Sequence, residues 1–175
     1  MKHKQDAEKF KLTETTVFNS FTYGQMPMRS VIWKILSFIT SDTSAHYEIA
    51  VGTDSMTYGS FTKFAVAITV YKEQKGAIFF YKTLRSKPMR NLKAKLDMET
   101  KISLEVADYL IDAFGEEIMN KRSRVHLSIH MDVGENGPTA KFIDDLEGWI
   151  KACGYDFCVK PDSYAASTIA DRLSK

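Results

Sequence analysis

Two aspartates stand at the ends of two predicted strands. Residues 47–55 alternate like a strand, and the run stops on Asp54. Residues 125–133 alternate in the same way, and Asp132 lies near their end on the polar face. If these strands are parallel neighbours, their ends lie roughly 5 Å apart, and two carboxylates that close repel strongly unless a cation lies between them. The alternative for Asp54 is an aspartate that only ends a strand and starts a turn.

Two further acids belong to predicted helices. Glu99 opens the helix that leads into the strand of Asp132, and Asp171 lies on the last helix. Convergence of these four carboxylates on one edge of a sheet would supply the hard oxygen ligands that suit Mg²⁺ or Mn²⁺ rather than zinc. Two such ions about 3.5–4 Å apart activate water and stabilise the leaving oxygen in phosphodiester hydrolysis. The alternatives are a helix-start carboxylate stabilised by the helix dipole for Glu99 and a solvated helix acid for Asp171.

A histidine shares the strand face of one of these acids. His130 lies two residues before Asp132, so its ring could reach a scissile phosphate or orient a water molecule. We therefore include His130 among the catalytic candidates. The alternative is a polar histidine packed under a helix.

The span of residues 75–95 contains no acid. Its basic side chains would flank the acidic edge and could neutralise the phosphates of a nucleic acid. The predicted nucleic-acid-binding residues are Lys82, Arg85, Lys87, Arg90, Lys93 and Lys95. The alternative is a solvated basic loop.

The composition is that of an ordinary soluble globular protein. The hydrophobic fraction of 44% and the length of 175 residues suit one domain with a sizeable core. A net charge of +2 gives no sign of global basicity, so any nucleic-acid signal is local. The two cysteines are too few for a disulfide framework and lack Cys-x-x-Cys spacing. The start of the chain is charged, and the most apolar run, residues 31–39, is too short to span a bilayer, so we expect a cytoplasmic protein without a membrane partner.

The order of the elements predicts an α/β fold. Residues 1–25 read as a polar lead-in, and residues 26–175 as one domain. The periodicity predicts a helix, three strands in a meander, and then alternating helices and strands that end in a helix over residues 163–174. The second helix is predicted to begin at residue 97, and strand-helix-strand units imply parallel neighbours. We therefore expect a mixed five-stranded sheet with helices on both faces.

Three stretches resemble a known family. Val-Gly-Thr-Asp-Ser at residues 51–55, Met-Asp-Val-Gly at 131–134 and Lys-Pro-Asp-Ser-Tyr-Ala-Ala-Ser-Thr-Ile-Ala-Asp at 160–171 look like the bacterial YkuK-type branch of the ribonuclease H-like superfamily. The similarity covers roughly residues 18–175. The resemblance implies strand order 3-2-1-4-5 and metal-dependent nuclease chemistry.

The resemblance also implies roles for single residues. Asp54 would bridge two metal ions, and Asp132 would share one of them. Glu99 matches the acid of the family's helix, with Glu105 as a second possibility. Asp171 fits the last acid better than Asp162 does.

These observations together lead us to expect a nuclease that hydrolyses RNA or DNA by a two-metal mechanism with Mg²⁺ or Mn²⁺. One rival interpretation is a ribonuclease H-like nucleic-acid-binding or scaffold protein without catalysis. Another is a phosphoesterase that acts on small nucleotides.

Overall fold

The computed structural model describes residues 6–120 and 124–164. Its strands are Val17–Ser20 (β1), Gly24–Pro27 (β2), Tyr47–Thr57 (β3), Thr62–Lys72 (β4), Gly76–Ser86 (β5), Val125–His130 (β6) and Asp156–Cys158 (β7). Its α-helices are Met28–Thr40 (α1), Leu92–Asn120 (α2) and Ile143–Ala152 (α3).

The strands form one mixed sheet in the order β2-β1-β5-β4-β3-β6-β7. Strands β3, β4 and β5 form an antiparallel meander, as short connecting turns require. Strand β6 follows the long helix α2 and pairs parallel to β3, and β7 pairs parallel to β6. Parallel neighbours need a crossover of this kind.

The sheet has seven strands, so the prediction of five strands in the order 3-2-1-4-5 is wrong in number and in order. The difference arises at the amino-terminal edge, where β1 and β2 form a hairpin and Asn19 of β1 pairs with Tyr81 of β5. The hairpin lies within and just after the segment that was read as a polar lead-in. Phe18 of β1 is fully buried, so the hairpin is part of the core. The five predicted strands keep their mutual neighbours as β5-β4-β3-β6-β7.

The two faces of the sheet differ. The helix face carries the odd-numbered residues of β3, among which Thr53 Oγ1 lies 2.8 Å from Ser103 Oγ of α2. Helix α1 lies on the same face, because Phe38 and Tyr47 meet edge to face at 5.6 Å between ring centroids. Helix α3 packs beside α2. The opposite face carries Asp54 and the residues in register with it, and we call it the Asp54 face.

The prediction of helices on both faces stays open. All three described α-helices belong to the helix face, and the predicted helix over residues 163–174 lies outside the described residues apart from its start. Within the described ranges, no helix has the length and apolar composition that crossing a membrane requires.

Helix α2 begins at Leu92, five residues before the predicted start, so Glu99 lies in the helix interior and the prediction that it opens the helix is wrong. Asn91 accounts for the difference, because its side-chain oxygen accepts a hydrogen bond of 2.9 Å from the backbone N–H of Ala94. Such a bond satisfies one of the free N–H groups at the start of a helix. Gly115 interrupts the helix with a positive φ of 69°, which glycine adopts without strain.

Two phenylalanines of the hairpin test whether it is part of the folded domain. Phe18 is 0% exposed and Phe21 is 77% exposed. We predict that Phe18→Ala lowers the free energy of unfolding by about 3–5 kcal/mol, because it leaves a core cavity. Phe21→Ala is the matched control and should cost less than about 1 kcal/mol, since its ring contacts other rings at the surface. Urea unfolding measures both, and equal small losses would show that the hairpin contributes nothing to the core.

Candidate functional site

The two aspartates lie just beyond the paired part of the parallel strands β3 and β6. The last register partners of this pair are Gly52 and His130. Two residues further along each chain, on the same face, lie Asp54 and Asp132. A continuation of this register beyond His130, where β6 ends, would bring the two residues to roughly the 5 Å spacing of neighbouring strands.

Neither aspartate ends its strand as predicted. Strand β3 continues three residues beyond Asp54, because β4 pairs with it as far as Thr57 and Thr62. Strand β6 stops two residues before Asp132. The backbone N–H of Met131 donates instead to Cys158 at 3.0 Å, and the N–H of Lys160 donates to Val133 at 3.0 Å. These bonds fix the segment that carries Asp132 beside the segment that carries Lys160.

A lysine occupies one side of the acidic site. Lys160 Nζ lies 2.7 Å from Asp132 Oδ1. The lysine side chain is 51% exposed and the aspartate side chain 24% exposed, so this ion pair is partly solvated. The sequence analysis missed Lys160, although it belongs to the Lys-Pro stretch that carried the family resemblance.

Glu99 of α2 provides a third carboxylate, which approaches β3 from the helix face. It is 4% exposed on α2, and Glu99 Oε1 accepts a hydrogen bond of 2.6 Å from Ser55 Oγ, next to Asp54 in the chain. The pKa of Glu99 is raised to about 8, chiefly by burial and further by the charges of Asp54 and Asp132, against the opposing effects of Ser55 and Lys95. Glu99 of α2 therefore interacts electrostatically with Asp54 of β3 and with Asp132 of the segment after β6. Without another positive charge, Glu99 holds its proton at neutral pH.

The remaining candidate acids lie elsewhere. Glu105, the second possibility for the helix acid, accepts a hydrogen bond of 2.8 Å from the backbone N–H of Leu12 and so anchors the amino-terminal segment. Asp162 is exposed. Asp171 lies outside the described residues.

His130 is fully buried and belongs to a polar cluster on the Asp54 face. Its Nε2 lies 2.9 Å from Ser128 Oγ and 3.4 Å from Glu48 Oε1. The ring also meets that of Tyr164 edge to face at 4.8 Å. The hydrogen bond with His130 lowers the pKa of Glu48. Serine and carboxylate approach the same ring nitrogen, so the three do not form a relay that would activate the serine, which needs both nitrogens.

The predicted basic residues differ in their exposure, their partners and the face of the sheet on which they lie. Lys87 and Arg90 are exposed in the loop between β5 and α2. Lys93 forms an ion pair with Asp97, and the charge of Lys95 acts on Glu99. Lys82 lies on the helix face, where Lys82 Nζ donates to the backbone oxygen of Val17 at 3.1 Å. Burial lowers the pKa of Lys82.

A cleft of about 400 Å³ lies at the start of α2, on the side of the segment that follows Asp132. Its lining includes Lys93, Lys141 and the ring of Phe142. The Nζ atoms of Lys93 and Lys141 lie 5.9 Å and 5.0 Å from the centroid of that ring. Two cations at this cleft are suited to phosphate groups.

No three His, Cys, Asp or Glu side chains among the described residues are arranged to hold a metal ion. The described acids therefore do not form a complete metal centre by themselves. Asp171, the predicted fourth ligand, lies outside the described residues.

Comparison with known proteins identifies relatives. A family model described as "Ribonuclease H-like" matches residues 30–175. The chain is 28% identical over 172 residues to "Uncharacterized protein YkuK" of Bacillus subtilis (strain 168), and the match covers 94% of this chain and 100% of that protein. No solved structure matches the chain significantly.

The raised pKa of Glu99 predicts a pH-dependent stability. The ordinary value of 4.5 applies to the unfolded chain and about 8 to the fold, so unfolding releases a proton between these pH values. The free energy of unfolding should fall as pH rises through this window, by up to about 1 kcal/mol per pH unit.

Glu99→Gln, which stays neutral, should remove most of this slope in urea unfolding at pH 5, 6, 7 and 8 with EDTA present. Asp97→Asn, a partly exposed acid on the same helix, is the control and should leave the slope in place. Identical slopes in Glu99→Gln and the unsubstituted chain would contradict the assignment.

Proposed function

The chain belongs to the ribonuclease H-like family, and on this premise we propose that it is a divalent-metal-dependent nuclease that hydrolyses phosphodiester bonds of RNA or DNA. The family suggests a nuclease or another nucleic-acid-related role. The single observation that supports the catalytic proposal is the parallel pairing of β3 with β6 up to Gly52 and His130, because Asp54 and Asp132 each lie two residues beyond these partners.

The donor set has the chemistry that a hard cation needs. Asp54 and Asp132 offer carboxylate oxygens, and crowding by negative charge helps keep Glu99 protonated. A cation among them would offset that repulsion and favour the ionised form of Glu99. We propose that Mg²⁺ or Mn²⁺ binds Asp54 and Asp132, takes the place of Lys160 at Asp132, and recruits Glu99. A second ion, as a two-metal mechanism requires, would depend on Asp171 as a further ligand.

Bound there, such ions would supply the Lewis acidity that activates water and stabilises the leaving oxygen. The chain's own residues perform the remaining tasks. Ser55 holds the Glu99 carboxyl group in place, and Lys95 moderates the negative charge around it. Lys93 and Lys141 can bind phosphates at the neighbouring cleft. His130 is buried, so its proposed role is to position the strand segment that leads to Asp132.

A specific observation favours a second candidate function. Lys160 already neutralises Asp132, and the described residues contain no group of three metal ligands. Both facts fit a ribonuclease H-like protein that binds nucleic acid without cleaving it.

Substitution of Asp54 separates the two functions. We predict that Asp54→Asn lowers Mn²⁺-dependent cleavage of labelled RNA, DNA and hybrid substrates by at least about 100-fold, since the lost contact acts on the transition state. Nucleic-acid binding should persist. Asp156→Asn, an exposed acid on β7, is the control and should cleave normally. Tight binding by the unsubstituted protein without any cleavage would favour the second candidate.

Substitution of Lys160 tests whether a cation competes with it. We predict that Lys160→Met tightens Mn²⁺ binding about fivefold, the factor that corresponds to the ~1 kcal/mol of a partly exposed ion pair. Calorimetric titration measures this affinity. Lys151→Met removes a similar exposed ion pair on α3 and should leave it unchanged. If neither the unsubstituted protein nor Lys160→Met binds Mn²⁺, the metal proposal is wrong.

A further inference from the structure

Three aromatic rings lie together at the outer part of the sheet. Phe21, in the turn of the β1–β2 hairpin, stacks with Phe79 of β5 at 5.9 Å between centroids and lies 5.5 Å from Tyr81. Phe79 and Tyr81 stack at 5.6 Å with planes 17° apart. Phe21 is 77% exposed, which is unusual for a large apolar side chain that already has partners. These three residues form what we call the aromatic platform.

The platform lies on the Asp54 face. Thr83 pairs with Ala65, which pairs with Asp54, so the odd-numbered residues of β5 share the face of Asp54. Tyr81 belongs to the neighbouring row, two strands away from Asp54. Strand spacing and rise place their Cα atoms roughly 12 Å apart.

Two cations extend the same face beyond the platform. Lys63 and Arg85 are direct cross-strand partners, a like-charged pair that is unfavourable by itself. Within the part of the chain that is described, neither side chain forms an ion pair. The guanidinium of Arg85 lies 4.1 Å from the centroid of Phe61, whose ring stacks on Tyr58 at 4.9 Å. Burial and the charge of Arg85 lower the pKa of Lys63.

We propose that the aromatic platform and the Lys63–Arg85 pair bind an unpaired nucleic-acid strand, with bases stacked on the rings and a phosphate on the two cations. This inference rests on the proposed function, because it names single-stranded or locally unpaired RNA or DNA as the substrate class. The Cα of Lys63 lies one strand and two residues from Asp54, roughly 8 Å away. A phosphate on this pair is therefore close to the candidate acidic site.

The chemistry favours an unpaired strand over a duplex. Bases in a duplex have both faces covered by their neighbours, whereas an unpaired base can stack on a protein ring. Stacking of this kind does not depend on the base, because every base has a π face. Charge complementarity with phosphates accounts for the like-charged pair, which an apolar protein partner would leave uncompensated.

Binding without cleavage tests the proposal. Fluorescence anisotropy with EDTA present would compare a labelled 12-nucleotide single strand with a blunt duplex of equal length. We expect the full chain to prefer the single strand. Phe21→Ala should weaken that binding about tenfold, within the range for one stacked base, and leave duplex binding unchanged. Trp33→Ala, which removes a 63% exposed ring on α1, is the matched control and should change neither.

The cationic pair has its own readout. Lys63→Gln and Arg85→Gln should each reduce the salt dependence of single-strand binding by about 0.7 in the logarithmic slope. Quenching of 2-aminopurine in the bound strand should report stacking and should be lost in Phe21→Ala. Circular dichroism melting confirms that each variant is folded.

The outcomes separate this inference from the proposed function. Single-strand binding that depends on Phe21, with no Mn²⁺-dependent cleavage, supports the platform and refutes the nuclease. Cleavage with unchanged binding in Phe21→Ala and Arg85→Gln refutes the platform and leaves the nuclease standing. Equal affinity for the single strand and the duplex overturns the platform. A second outcome also overturns it: the protein self-associates in sedimentation, and Phe21→Ala abolishes this self-association but leaves single-strand binding intact.

Discussion

The crowding of carboxylates at the end of β3 and β6 is the constraint on which the site depends. Asp54 and Asp132 each lie two residues beyond the last partners of the parallel pair, and both charges act on the buried Glu99. Negative charges this close, partly removed from water, are costly unless something compensates them. Three groups can offset this repulsion between carboxylates: a proton on Glu99, the ammonium of Lys160 at Asp132, and a hard cation among the oxygens. The structure contains the ion pair of Lys160, the raised pKa of Glu99 favours its protonated form, and in the proposed function a cation would take over from both.

The sheet also determines which element supplies each of the groups that offset the repulsion. Helix α2 crosses the helix face, so its Glu99 reaches the site from below through Ser55. The segment after β7 runs beside the segment after β6, and backbone hydrogen bonds hold Lys160 against Asp132. Glu99 and Lys160 therefore reach the site along different elements. An exchange between lysine and cation needs only a solvated side chain to move, because Lys160 is half exposed.

Alternation and helical periodicity were sufficient to predict the central five strands, and the family resemblance supplied their neighbours, but neither gave the ends of β3 and β6 or the start of α2. They were not sufficient for the β1–β2 hairpin, whose four-residue strands carry polar residues such as Asn19 and Gln25 and depend on β5 as a partner. The ion pair of Lys160 joins positions that are distant in sequence, and no spacing encodes it. The early start of α2 was readable, since Asn91 is a favoured capping residue. The burial of His130 could not be decided from the sequence, because a polar strand face does not show which element covers it.

The hairpin that the sequence analysis overlooked connects the stability of the domain with its proposed binding surface. Phe18 and Phe21 are three residues apart, and the hairpin sends one ring into the core and the other to the Asp54 face. Burial of Phe18 holds the hairpin on β5, and this in turn holds Phe21 against Phe79 and Tyr81. A ring fixed in this way loses little freedom when a base stacks on it, so less of the interaction free energy is spent on ordering the side chain. The extra strands at the sheet edge are therefore more than added core: they preorganise an exposed aromatic surface on the face that carries Asp54.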